Sequence, residues 1–134
     1  MFSEGEDFAH LVAALDWVLR RLGGTARCWR TDRMATIVEP GSGRLRPEAA
    51  ELAKHYGVTV AVCPPRRAQR KGVVEAAIRY IERSWWRNAS AATLGQAQAS
   101  LDRWCVEVAD ERRRGELTVG QRAAAEPLLP LPPV

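Results

Sequence analysis

The sequence is poor in the residues that build metal clusters and disulfide frameworks. It has three cysteines and two histidines among 134 residues. The cysteines, at positions 28, 63 and 105, lie far apart, and none has a paired spacing with His10 or His55. The pattern therefore indicates neither a zinc site nor a disulfide framework. Free thiols are typical of a reducing compartment, so we expect a cytoplasmic protein.

Other signals are also missing. The first twenty residues contain four acids and no uninterrupted apolar core, so no signal peptide is predicted, and no apolar run is long enough to span a bilayer. There is no glycine-rich phosphate loop and no Ser-His-Asp grouping. The composition therefore argues against membrane association and against catalysis by a nucleophile of the protein itself.

The charge is moderately basic and unevenly distributed. Twenty bases against sixteen acids give a formal net charge of +4 and a pI near 9.4. The bases cluster between Arg66 and Lys71 and again at residues 112–114. Such clusters favour an acidic partner. The length fits one domain or a piece of one.

Residues 8–62 alternate between helix and strand patterns. Hydrophobic periodicity and end signals predict a helix over 8–22 that stops at Gly23-Gly24, a strand within 25–31, a helix over 48–56 that begins at Pro47, and a strand over 58–62. Residues 33–38 are compatible with a strand remnant or a short helix. This order, with short connections, predicts an α/β unit with parallel strands and a right-handed crossover.

The remaining residues predict a mainly helical half. One helix is expected from Gly72 to about Trp86, with a buried face of Val73, Val74, Ala77, Ile78, Ile81 and Trp85. A second is expected over 93–113, capped by Thr93, with an apolar seam of Leu94, Ala97, Leu101, Trp104 and Val108. A short helix near 121–126 precedes the proline-rich tail 127–134, which has the composition of an extended linker.

Two acids occupy positions suited to metal chemistry. Ligands of parallel sheets gather at the carboxyl ends of the strands, and Asp32 follows the first predicted strand. Glu75 lies on the first turn of the helix that starts at Gly72. Carboxylates that converge on Mg²⁺ or Mn²⁺ support two-metal chemistry at phosphodiesters. The alternatives are a turn or cap role for Asp32 and a surface pair of Glu75 with Arg79.

The segment between the second strand and this helix predicts a contact with the phosphates of a polyanion. Its candidate residues are Arg66, Arg67, Gln69, Arg70 and Lys71. Four bases within six residues, beside a helix start, favour phosphate contact over a merely solvated rim.

The order of these pieces resembles a known family. A helix, Gly23-Gly24 and a strand lead to Thr31-Asp32; then come residues 55–58 (His-Tyr-Gly-Val), 64–66 (Pro-Pro-Arg) and 71–75 (Lys-Gly-Val-Val-Glu). Over about residues 7–90 this resembles the second half of the retroviral-integrase-type (D-D-E) catalytic core of bacterial insertion-sequence transposases, of the class that works with an ATPase helper.

The resemblance implies a fold, a site and partners. The fold would be a partial ribonuclease H-like core over residues 1–90 with two short parallel strands, followed by a helical extension over 91–126 and the tail 127–134. Asp32 would be the second and Glu75 the third of three acids that hold two Mg²⁺ or Mn²⁺ ions for DNA cleavage and joining. The implied partners are DNA and either an intact transposase or the ATPase helper, an oligomer is compatible with them, and the implied location is the bacterial nucleoid.

Two departures from the family pattern matter. Arg33 stands where the family often has Asn. The first acid of the family belongs on a strand before the helix over 8–22, and Met1 leaves no room for it. We therefore expect a fragment truncated at both ends and inactive alone. The alternatives are a non-enzymatic DNA-binding or assembly module that modulates an intact transposase, and a degenerate remnant with no folded product.

Overall fold

The computed structural model describes residue 2, residues 4–63 and residues 72–134. Their contacts group them into two compact units. Unit 1 contains residues 4–63 and Pro127–Val134, and unit 2 contains Phe2 and residues 72–126. The sequence places domain boundaries near residues 90 and 126 instead, and those boundaries stay a prediction.

Unit 1 begins with helix α1, Phe8–Leu22, whose bounds match the predicted ones. The Asp7 carboxylate caps it by accepting a hydrogen bond from the His10 amide at 2.9 Å. Gly23 ends it in the left-handed conformation (φ 84°), which costs a glycine little. Both ends of α1 are thus set by local signals.

The sheet of unit 1 has two parallel strands. Strand β1 is Cys28–Thr31 and β2 is Thr59–Val62, with Cys28 opposite Thr59 and Thr31 opposite Val62. Helix α2, Pro47–Tyr56, connects them. The predicted strand, helix, strand order and the parallel pairing are confirmed.

The segment between β1 and α2 is a turn. The amides of Ile37 and Val38 donate to the Met34 carbonyl at 3.0 and 2.8 Å, and Val38 pairs with Leu45 in an isolated antiparallel bridge. Val38 is almost fully buried. This segment therefore combines one turn with a helix-type hydrogen bond and a single β-bridge, and forms neither a full helix nor a strand.

The core of unit 1 is small. Its buried residues are Leu19, Thr25, Val38, Ala49, Ala53 and Tyr56. The Trp29 ring packs against Tyr56 at 5.4 Å between centroids, and its indole N–H donates to the Thr25 hydroxyl at 2.7 Å. A buried threonine is thus satisfied by a tryptophan.

A polar network joins α1 to α2. The Tyr56 hydroxyl donates to the Asp16 carboxylate, and Arg20 Nε donates to the other oxygen of that carboxylate at 2.9 Å. These hydrogen bonds, that of Tyr56 first, lower the pKa of Asp16. Desolvation, followed by the bond to Asp16, raises the pKa of Tyr56 to about 12.

We expect Tyr56→Phe to lower the free energy of unfolding by about 1.5 kcal/mol at pH 7, because it removes a hydrogen bond to a charged group. The lowered pKa of Asp16 contributes stability above 3.8, and the raised pKa of Tyr56 contributes stability below 10.0. The difference in unfolding free energy between Tyr56→Phe and wild type should therefore become smaller as the pH falls below 3.8 or rises from 10.0 to about 12. Urea denaturation across this pH range measures it.

Tyr80→Phe is the matched control, because it keeps the ring that packs against Trp104. We expect its unfolding free energy to stay within about 0.5 kcal/mol of wild type. A Tyr56→Phe effect that does not change with pH would contradict the assignment to the Asp16 pair.

The tail, residues 127–134, is extended and held by unit 1. Thr25 and Leu129 exchange two backbone hydrogen bonds of 3.0 and 2.8 Å, and Arg20 Nη2 donates to the Pro132 carbonyl at 3.1 Å. A β-carbon on Gly24 would lie 2.7 Å from both Leu128 Cβ and the Leu129 carbonyl oxygen. The close approach of the tail therefore depends on a glycine at position 24.

Unit 2 is helical with one short hairpin. Its elements are helix α3, Gly72–Ser84; a 3₁₀ turn, Trp86–Asn88; helix α4, Leu94–Trp104; a π-helical turn, Cys105–Ala109; strands β3, Arg113–Arg114, and β4, Leu117–Thr118; and helix α5, Val119–Ala124. Among the described helices, none is long and apolar enough to cross a membrane.

The predicted helix over 93–113 is only partly correct. Thr93 caps α4 as predicted, accepting from the Gln96 amide at 3.1 Å. Beyond Trp104 the backbone widens, and the Asp110 amide donates to the Cys105 carbonyl, five residues back, at 2.8 Å. A two-residue turn that contains Gly115 (φ 76°) then reverses the chain between β3 and β4.

The predicted burial of the apolar face of α3 is correct for Trp85 but wrong for the first turns of the helix. Val73, Val74 and Ile78 are 80%, 60% and 50% exposed, whereas Trp85, beyond the helix, is buried. Unit 2 covers α3 where the Tyr80 ring packs on Trp104 at 5.4 Å, and Ile81 of the predicted face is half-buried there. Amphipathicity predicted which residues share a face but not which neighbour covers it.

Candidate functional site

Asp32 lies where its sequence position predicts, at the carboxyl end of β1. The Thr31 hydroxyl donates to the Asp32 carbonyl at 3.2 Å, and the Cys63 amide donates to the Thr31 carbonyl at 2.7 Å. This last bond extends the ladder one residue beyond β2. The backbone that carries the Asp32 carboxylate is therefore fixed by the sheet.

Arg33, the residue that departs from the family pattern, is directed at a neighbouring loop. A β-carbon on Gly43 would lie 3.0 Å from Arg33 Nη2, and Gly43 has a positive φ of 70°. The guanidinium therefore lies close to Gly43, whose positive φ is the reason that a glycine is favoured there.

Glu75 lies on the first turn of α3, as predicted, and its side chain is 59% exposed. Its carboxylate is 3.9 Å from Arg79 Nη2, at the outer limit of an ion pair. The surface pair that the sequence offered as an alternative thus exists but is loose, and exposed pairs of this kind contribute little stability. Glu75 is open to an additional ligand.

The two acids lie in different units, Asp32 in unit 1 and Glu75 in unit 2. Carboxylate oxygens are the donors that Mg²⁺ and Mn²⁺ prefer, so the residue types fit a hard divalent cation. Within the described residues, no three His, Cys, Asp or Glu side chains gather closely enough to hold a metal ion. The catalytic and metal-binding roles of Asp32 and Glu75 stay predictions.

The five predicted DNA-contacting residues, Arg66, Arg67, Gln69, Arg70 and Lys71, lie outside the described residues. The distribution of charged residues along the chain supports the prediction that these five residues contact a polyanion. Outside residues 64–71 the chain has 16 bases and 16 acids, so the whole net charge of +4 resides in residues 64–71. A polyanion would be attracted to this segment rather than to the chain in general.

Sequence reasoning missed a groove in unit 1. It has a volume of about 410 Å³ and is lined mainly by apolar side chains of α1, β1 and α2. Thr31 and Met34, which flank the Asp32 region, belong to its lining. Hydrophobic periodicity predicts the apolar face of each helix and strand separately. It does not predict that a groove remains open between these faces.

Comparison with known proteins identifies the relatives. No protein-family model matches the chain. It is 32% identical over 139 aligned positions to a putative transposase for insertion sequence element IS5376 of Geobacillus stearothermophilus, and 30% identical over 135 positions to the transposase for IS21 of Pseudomonas aeruginosa. These alignments cover 98% and 95% of the chain. The chain is similar to insertion-sequence transposases over nearly all of its length.

A third relative, the transposase for IS640 of Shigella sonnei, is 27% identical over 110 positions and covers 79% of the chain. The chain spans only about a third of the length of these transposases, 34 to 35%. The resemblance to insertion-sequence transposases is therefore confirmed for this region of them.

A solved structure shows the fold. The chain superposes with a TM-score of 0.65 on a chain of the simian T-cell lymphotropic virus intasome in complex with the PP2A regulatory subunit B56 gamma, at 15% identity. The match covers 98% of this chain and 45% of the other chain. Together with the parallel pair β1–β2, it confirms the predicted α/β, partial ribonuclease H-like fold.

Proposed function

We propose that the chain forms part of the catalytic region of an insertion-sequence transposase, where it contacts DNA and supplies two carboxylates to a divalent-metal site. The observation that carries the proposal is the position of Asp32, held at the carboxyl end of a parallel strand in a chain that aligns with transposases over nearly all of its length. Glu75, exposed on the first turn of α3, is the second carboxylate.

Each group has a distinct task in this proposal. Asp32 and Glu75 would hold Mg²⁺ or Mn²⁺, which when bound supplies an activated oxygen nucleophile and stabilises the leaving oxygen. The sheet fixes the backbone next to Asp32, through the bond from the Cys63 amide to the Thr31 carbonyl. The bases of residues 64–71 would bind the phosphates that flank the reacting bond.

The rest of the machinery is also part of the proposal. Because the chain spans a third of its relatives, we propose that it acts with an intact transposase, in an oligomer and with an ATPase helper, on DNA in the bacterial cytoplasm and nucleoid. A non-enzymatic role in DNA binding or assembly predicts the same DNA contacts but no dependence on Glu75.

We expect the isolated chain to give no DNA nicking above background with Mg²⁺ or Mn²⁺. Two carboxylates supply fewer ligands than a two-metal site requires, and the described residues do not provide a cluster of three. The measurement is nicking of supercoiled plasmid, with Glu75→Gln as the comparison. Robust nicking that disappears in Glu75→Gln would show that the chain is active alone.

A chimera tests the two carboxylates directly. The aligned third of the Geobacillus transposase is replaced by this chain, and strand cleavage with Mg²⁺ is measured. We expect Asp32→Asn and Glu75→Gln each to reduce the rate by at least about 1,000-fold, because each removes a metal ligand. Glu51→Gln, an exposed acid on α2, is the matched control and should retain activity. Full activity of Glu75→Gln would contradict the proposal.

A further inference from the structure

Unit 2 contains an apolar groove that the proposed chemistry does not use. It has a volume of about 620 Å³ and lies between α3 and the segment from Trp104 to the hairpin. The rings of Tyr80 and Trp104 line it together with Ile81. Small residues, Ala76 and Ala77, form part of the α3 wall. Such a wall lets the backbone of another element approach closely.

Arginines stand at this groove without carboxylate partners. The Arg112 guanidinium lies 4.4 Å from the centroid of the Tyr80 ring. Arg114 also lines the groove, and its carbonyl accepts a bond of 2.7 Å from Arg122 Nη2. None of the ion pairs among the described residues involves these three arginines. Two cations are therefore positioned at an apolar surface and left unneutralised.

The helical distortion of unit 2 coincides with the groove. Cys105 and Ala109, the first and last residues of the π-helical turn, both line it. Isolated π turns occur frequently at functional sites. Val73, at the α3 end of the groove, is 80% exposed. An exposed apolar surface and a distorted helix thus meet at the same place.

The charge and shape favour a protein segment over nucleic acid. Residues 72–126 have eight bases and eight acids, so unit 2 has no net charge to attract a polyanion. A partner that fills the apolar groove needs apolar side chains, and carboxylates on that partner would pair with the two arginines. We propose that the groove binds an amphipathic helix of a partner protein, with apolar residues at helical spacing and acidic residues facing Arg112 and Arg114.

The test uses the full chain and a synthetic probe. The probe is an Ala-based helical peptide of about 18 residues with leucines along one face and glutamates beside them, and its matched control has lysine in place of glutamate. At about 100 mM salt we expect the Glu peptide to bind with a Kd on the order of 50 μM, and the Lys peptide at least about tenfold more weakly. NMR shifts should map to Ala76, Trp104 and Arg112.

Variants locate the binding. Arg112→Ala combined with Arg114→Ala should weaken the Glu peptide about tenfold. Arg87→Ala combined with Arg103→Ala removes the same charge from other exposed positions of unit 2 and should change nothing. Because Arg112 packs on Tyr80, Arg114→Glu provides a second variant that keeps that contact, and it should weaken binding at least as much. Thermal melting checks that each variant is folded.

Several outcomes would overturn the proposal. These are no binding at millimolar peptide, equal affinity for the Glu and Lys peptides, or equal losses in the two double-alanine variants. Shifts of the groove residues on addition of duplex DNA, without an effect of the Glu peptide, would assign the groove to nucleic acid instead. The proposal is independent of the metal site, since Glu75→Gln should leave peptide binding unchanged.

Discussion

Replacement of Arg66, Arg67 and Arg70 by alanine is expected to lower the affinity of the chain for duplex DNA by about 10- to 100-fold at about 100 mM salt. Each lost phosphate contact also reduces the slope of log K against log salt by about 0.9, so the slope should fall by up to about 3. Fluorescence anisotropy of labelled DNA over a range of salt concentrations measures both quantities. Residues 64–71 carry the entire net positive charge of the chain, which is why the expected effect is large.

The matched control removes the same charge elsewhere. Arg113, Arg114 and Arg122, all exposed in unit 2, are replaced by alanine. If DNA contacts residues 64–71, this variant should lose less than about threefold in affinity and keep most of its salt slope. Equal losses in the two triple variants would show that affinity follows net charge alone. Failure of the wild-type chain to bind DNA at low salt would contradict the proposed function, without affecting the peptide groove.

Gly24→Ala is expected to lower the free energy of unfolding by about 2–3 kcal/mol. Its new methyl group would lie 2.7 Å from Leu128 Cβ and from the Leu129 carbonyl oxygen, and neither contact is at the flexible end of a long side chain. The tail must therefore move, and the two backbone hydrogen bonds between Thr25 and Leu129 are lost. Urea denaturation gives the stability change, and hydrogen exchange of the Leu129 amide reports the release of the tail.

Gly41→Ala is the control for the chemical change itself. A β-carbon at position 41 would meet no atom within 4 Å, and Gly41 does not have a positive φ. We expect its stability to stay equal or to rise by up to about 0.5 kcal/mol, because alanine restricts the unfolded chain. A Gly24→Ala protein that unfolds at the wild-type urea concentration, with the Leu129 amide still protected, would show that the tail contact is not what requires glycine.

The parts of the fold that sequence predicted correctly are those set by neighbouring residues. Asp7, Gly23 and Gly57 fix helix ends through their own side-chain or backbone properties, so α1 and α2 have the expected bounds. The parallel pairing of β1 and β2 followed from element order, since a helix between two strands leaves a parallel crossover as the favoured connection.

The errors involve interactions between distant residues. Helical periodicity continues through Cys105–Ala109, and nothing local marks the wider π turn there. The composition of residues 127–134 predicts an extended backbone, but not that Leu129 pairs with Thr25. The same limit holds for the site: strand and helix ends placed Asp32 and Glu75 correctly on their elements, whereas a metal site depends on tertiary contacts that spacing does not encode.

The pairing of Thr25 with Leu129 makes unit 2 an insertion within unit 1. Arg20 and Pro132, another pair in this contact, are separated by 112 residues. On the ribosome, unit 1 therefore cannot close until residues 127–134 have emerged, and unit 2 is synthesised in full before then. Loop-closure entropy rises slowly with length, by about 0.6 kcal/mol for each doubling. Insertions of different length in unit 2 should therefore change the stability of unit 1 only slightly. Unit 1, however, completes its folding late in synthesis.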